Sequence, residues 1–102
     1  MENLKLTRPV MIDGAAFTNL EYDFDNLEAT AVEQAIKSLK RSQHIIMAQE
    51  TDPLLHAAIF AQAAGIDLTD MQRLSAKDYL EAGRRVRDFF FFSLEDGSET
   101  SS

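Results

Sequence analysis

The sequence contains no cysteine and no tryptophan, and only two prolines and four glycines among 102 residues. Without cysteine there is no disulfide, no thiolate zinc site and no thiol nucleophile, which agrees with a reducing compartment. The four glycines are scattered, so neither a glycine-rich phosphate loop nor a nucleophile elbow is present. No apolar run approaches the ~20 residues that span a bilayer, and the acidic start Met1-Glu2-Asn3 lacks the basic and apolar stretches of an export signal. These features predict a cytoplasmic protein with no membrane partner. Cations are also scarce: 10 Lys and Arg face 17 Asp and Glu, for a formal charge of −7. That balance argues against nucleic acid as a partner, because phosphate contacts need a local excess of Lys and Arg.

What is present suits one soluble domain, with 45% hydrophobic and 26% charged residues. Leu4, Leu6, Val10 and Ile12 share one parity before Asp13-Gly14, and Leu20, Tyr22 and Phe24 share one parity after it. Asp-Gly between alternating segments predicts a β-hairpin over 4–24, since a type I′ turn needs positive φ at both central residues. Pro9 has no N–H to donate, so the first strand is expected to be an edge or to break there.

Three helices are expected to follow. Thr30 with Glu33 reads as a capping box ahead of Val32, Ala35, Ile36 and Leu39, giving a helix over about 31–41. Asp52-Pro53 opens a second helix over 53–64, with Leu55, Ala58, Ile59 and Ala63 on one face and Gly65 closing it. Ser75 with Asp78 opens the third, over 76–92, whose buried face is read as Tyr79, Leu80, Ala82, Val86, Phe89 and Phe90. Leu68 to Leu74 is expected to form one short helical turn. Segment 42–51, with Ile45, Ile46 and Met47, lacks helical spacing and is either an ordered loop or a short added strand. The predicted class is α+β: an N-terminal hairpin and a three-helix, mostly α-helical remainder forming a single domain over 1–92. The polar, acidic stretch 93–102 has too few apolar groups to offset ordering entropy and is expected to be a disordered tail.

Residues able to do chemistry are few. His44 and His56 lie on different predicted elements, and neither has a second ligand at the spacing that puts two groups on one helical face, so both are read as surface or core-edge histidines. Asp23, Asp25 and Glu28 precede a helix and are expected to serve its amide donors. No cofactor, metal or catalytic constellation is expected, and the chain is read as a non-enzyme. Ala61, Gly65, Ile66 and Met71 fall at helix-turn-helix offsets, so a DNA-binding regulator using residues 61–74 is the alternative reading. Its recognition helix would begin at Asp67-Leu68-Thr69-Asp70, with carboxylates facing phosphate. Arg84, Arg85 and Arg87 stand beside Glu81 and Asp88, the pattern of a solvated, salt-bridged face.

The run Phe89 to Phe92 is the feature that packing explains least. At 100° per residue, four successive side chains sweep most of a helix's circumference, and one docked face buries about two of them. Phe89 and Phe90 continue the apolar stripe. Phe91 and Phe92 then either form a protein-protein surface or tuck under the hairpin. Ile45, Ile46 and Met47 pose the same choice. The candidate partner-binding residues are therefore Phe89, Phe91, Phe92, Ile45, Ile46 and Met47.

Taken in order, Leu4-Lys5-Leu6, Arg8-Pro9-Val10, Asp13-Gly14, then Leu55 to Ala64 with Gly65-Ile66, Met71, Leu74-Ser75-Ala76-Lys77-Asp78-Tyr79-Leu80, Val86 and Phe89 resemble the tail assembly chaperones of long-tailed bacteriophages. The resemblance covers residues 4 to about 92. The chain departs from it at the end of the second strand, where many relatives carry a basic residue and a proline and this sequence has Glu21, Tyr22, Asp23, Phe24 and Asp25. The resemblance implies a non-enzymatic protein of the bacterial host cytoplasm that binds the tape-measure protein and helps recruit tail-tube subunits. It also implies departure before the virion is finished. Self-association into a homo-oligomer is compatible with that role.

Overall fold

In the computed structural model, which describes residues 1–92, an antiparallel hairpin lies on a helical body. β1 runs Glu2–Ile12 and β2 runs Ala15–Tyr22. The two residues between them, Asp13 and Gly14, have φ of 52° and 80°, the left-handed pair that a type I′ turn demands and that Asp-Gly tolerates best. Pairing is regular from Glu2↔Tyr22 to Lys5↔Asn19, slips, and resumes at Val10↔Phe17. The slip brackets Pro9, so β1 stays continuous but its pairing is interrupted where the donor is missing. Leu4, Leu6, Val10, Ile12, Leu20, Tyr22 and Phe24 are all buried, and they form the hairpin's contribution to the core.

Helix α1 spans Ala29–Arg41 and buries Ala35 and Leu39. Its start corrects the expected Thr30 capping box: Glu28 occupies the N-cap without a side-chain bond, and Thr30 is already helical. A turn at Phe24–Leu27, closed by Leu27 N–H to the Phe24 carbonyl, steers the backbone into the helix before Thr30 is reached. The Asp23 carboxylate serves that turn, accepting from the Asp25 amide and the Asn26 side chain.

Helix α2, Pro53–Ala64, is the centre of the molecule. Asp52 caps it, with Oδ1 accepting from the amides of Leu54 (3.0 Å) and Leu55 (3.1 Å), and Gly65 ends it at φ 70°. Every residue from Leu55 to Ala61 is buried, so the helix is covered on all sides rather than along one stripe. It packs against α1, β2 and α4. A one-turn helix α3, Leu68–Met71, then leads to α4, Ala76–Val86, which continues as a π-helical turn over Arg87–Phe92. Among the described residues no helix is long and apolar enough to cross a membrane. The architecture is a small α+β fold with an N-terminal hairpin followed by a mostly helical region.

The start of α4 ties the two halves together. Ser75 Oγ accepts from the Asp78 amide, as a capping residue should, but the Asp78 carboxylate does not reach back to complete a box. It turns toward β1 and accepts from the Thr7 amide (3.0 and 2.9 Å) and the Thr7 hydroxyl (3.1 Å), satisfying backbone that the strand slip leaves unpaired. At the other end of β1, Arg85 donates to the Asn3 carbonyl (2.9 Å) and to the Tyr22 hydroxyl (2.8 Å). Arg73 Nε donates to the Met11 carbonyl (3.2 Å) and pairs with the buried Asp70.

Candidate functional site

Segment 42–51 crosses the gap between α1 and α2 as an ordered loop ending in a 3-10 turn, Gln49–Thr51, and adds no strand. The chain's two histidines fasten it. His44 Nε2–H donates to Asp52 Oδ2 at 2.7 Å, so the carboxylate that caps α2 also holds the start of the loop. Burial acts to raise the Asp52 carboxyl, yet the bonds from His44 and from the Leu55 and Leu54 amides hold it below the ordinary carboxylate range. Near the loop's end, His56 Nε2–H donates to the Gln49 carbonyl (3.0 Å), and its ring lies 5.3 Å from the Phe91 ring. Burial pushes His56 below the usual imidazole range. Each histidine is thus engaged by a hydrogen bond within the fold.

Along the loop, burial alternates from one side chain to the next. Ile46 turns inward against the core, while Ile45 (76% exposed) and Met47 (89%) point outward. Their outward face continues onto α4, where Leu80 is 65% exposed, and together they line an open, mainly apolar groove of about 630 Å³ completed by Pro53, Leu54 and Tyr79. This groove is the candidate site. Leu80 corrects the sequence reading, which placed it on the buried face. The buried stripe of α4 is Asp78, Ala82 and Val86, and Leu80 lies about 200° around the helix from Asp78. A helical wheel finds it only once Ala82 and Val86 are known to be the buried pair, a phase that packing against α2 sets.

The phenylalanine run splits between two faces. Phe89 leans on Phe24 (centroids 5.3 Å) and on Phe90 (4.8 Å), yet remains 41% exposed at the open end of the hairpin. Phe90 and Phe91 are half-buried against the core. Phe89, read as part of the buried stripe and also as a partner-binding candidate, stays partly exposed, and of the two readings left open for Phe91 the inward one holds. The π-helical turn is the reason: its wider ring rotates successive side chains by less than the 100° of an α-helix, so the stripe shifts along the run. The side chain of Phe92 and residues 93–102, including the expected acidic tail, lie outside the described residues. Ile45 and Met47 therefore share a patch with Leu80, whereas Ile46 and Phe91 are spent largely on the interior and Phe89 stands apart.

The remaining candidates have structural explanations. At the corner after α2, Ala61 and Met71 are buried and Ile66 is half-buried. The helix that would read DNA is a single turn, and its Asp70 carboxylate accepts from the Asp67 amide. Arg84 is held by Glu81 (2.7 Å) and Asp88 (2.6 Å), and Arg85 by Glu81 (2.9 Å). Hydrogen bonds from these two guanidiniums depress the Glu81 carboxyl to about 2. Among the described residues no group of three or more side chains is arranged to hold a metal ion. The chain matches no family model, no curated protein and no solved structure.

Proposed function

We propose that this chain is a tail assembly chaperone of a long-tailed bacteriophage or prophage, a non-enzymatic protein that holds an apolar helix of the tape-measure protein during tail assembly. The observation that carries the reading is the exposure of Ile45, Met47 and Leu80 together around one open, mainly apolar groove. Large apolar side chains clustered on a soluble surface mark a place where another molecule sits. An unbranched Met beside Ile and Leu adapts to helices of differing shape. The −7 charge keeps the body soluble and discourages self-association while the patch is open. The order of the hairpin and helical motifs, resembling that family, supplies the identity of the client, and tail-tube recruitment in the host cytoplasm follows from the same resemblance.

The test is co-expression with the tape-measure protein encoded beside it. The wild-type chain is expected to co-purify with that protein and to raise its soluble fraction, and Met47→Asp with Leu80→Asp is expected to abolish both effects while leaving the chaperone folded. A tape-measure protein that is neither retained nor made more soluble overturns the proposal.

A further inference from the structure

We propose that the groove along α4 receives an apolar helix bearing a carboxylate two turns from its anchoring side chain, so that the anchor packs on Leu80 and the carboxylate meets Arg87. This specification rests on the client-binding reading above and narrows it. Leu80, Gly83 and Arg87 recur at i, i+3 and i+7 along one side of α4, placing the apolar and cationic ends roughly 10 Å apart at ~1.5 Å per residue. Between them Gly83 has ordinary helical backbone and no need of glycine's freedom; what its missing side chain provides is a low floor. The adjoining cleft, about 290 Å³, opens over that floor beside Tyr79 and Pro53.

Charge selects the occupant. In a chain with seven more carboxylates than cations, the charged side chains lining this cleft among the described residues are Arg84 and Arg87, with no carboxylate beside them there. Arg84 is already neutralised by Glu81 and Asp88. Arg87 forms no hydrogen bond or ion pair among the described residues. Its charge is felt by His56 in the cleft wall, where it adds to the burial that holds the imidazole down. Among the described residues the one carboxylate lining the opposite end of the groove, Asp52, is engaged by His44 and the α2 amides. An incoming acidic side chain is therefore attracted at the Arg87 end, and an incoming lysine is repelled.

The probes are three fluorescently labelled helical peptides with the same leucine anchor and Glu, Gln or Lys seven residues from it, titrated against the full chain by anisotropy at low and high salt. The expected order of affinity is Glu, then Gln, then Lys, with about two- to five-fold between neighbours at low salt and compression at high salt. Arg87→Gln is expected to remove the order, and Arg87→Glu to invert it, which also shows that the variant remains folded and competent. Gly83→Leu is expected to weaken all three peptides together. Equal affinity for the three peptides, or an order that survives Arg87→Gln, overturns the carboxylate assignment and leaves the apolar groove standing. Failure of every peptide to bind overturns both the assignment and the choice of this groove, whereas loss of tape-measure co-purification alone overturns the client's identity.

Discussion

Removing the Asp78 carboxylate should weaken the hold of the helical body on the hairpin. Asp78 is 2% exposed, and it accepts from the Thr7 amide through both oxygens and from the Thr7 hydroxyl, across the slip in β1. A hydrogen bond to a charged group contributes about 1.5–3 kcal/mol, and a buried amide left without a partner costs about 1–3 kcal/mol. The contributions overlap, because the same amide is counted in both. Asp78→Ala is therefore expected to cost about 3 kcal/mol, which for a domain of this size lowers Tm by about 12–24 °C. Asp78→Asn keeps one neutral acceptor and should cost about half as much. The pH dependence follows from the same contacts. Burial acts to raise the Asp78 carboxyl, but the hydroxyls of Ser75 and Thr7 and the amides of Thr7 and Arg8 outweigh it and hold it below its ordinary 3.8. A depressed folded value means that the stabilisation is complete above the unfolded pKa and disappears as pH falls through the folded one. Urea titrations of wild type and Asp78→Ala should thus differ fully at pH 7 and converge in strong acid, and a double-mutant cycle with Thr7→Val should show positive coupling. A loss below about 1 kcal/mol at pH 7, or a difference that does not shrink in acid, would refute the reasoning.

The other expectations use the same measurements. Gly65→Ala should destabilise by about 1–2 kcal/mol, because alanine must adopt φ 70° there although nothing stands within 4 Å. Gly83→Ala should stabilise by about 0.5–1 kcal/mol, since its Cβ would meet only His56 Cβ at an ordinary 3.7 Å and helical backbone favours alanine. The same substitution should weaken client binding, and thermal melts beside peptide titrations check both halves. His56 is neutral in the fold with its imidazole value depressed by burial, so stability should fall as pH drops below about 6.5, and His56→Leu should flatten that limb in denaturation curves. Leu80→Ser should change stability by less than about 0.5 kcal/mol, because the side chain is 65% exposed, while removing client retention in a pull-down.

The hairpin was legible because its cues are local. Asp13-Gly14 fixes the turn, the alternation of Leu4, Leu6, Val10 and Ile12 fixes the buried face, and Pro9 marks the interruption in pairing. The bounds of α2 were legible for the same reason, since Asp52-Pro53 and Gly65 act within one helical turn of themselves. The helical capping boxes were less so. Thr30 lost its place to an upstream turn, and the Asp78 carboxylate, which a local rule sends back to Ser75, was drawn instead to an amide on a strand 71 residues away.

The site divides along the same line. Sequence by itself picked out Ile45, Ile46 and Met47 as apolar residues without a helical face to join, and the folded loop then turns Ile46 inward while its two neighbours face out. The sequence also determined the α+β class, the acidic charge and the lack of thiol chemistry, because composition and short-range stereochemistry carry those properties residue by residue. Only the tertiary structure decided that Leu80 faces out beside that loop, that Phe91 turns in onto His56 while Phe89 stays partly exposed, and that Arg87 alone of the three arginines on this helix lacks a partner among the described residues. Those outcomes depend on the rotational phase of α4 against α2 and on the π-helical turn that ends it. Phase is set by contacts between residues distant in the chain, and no local pattern encodes it.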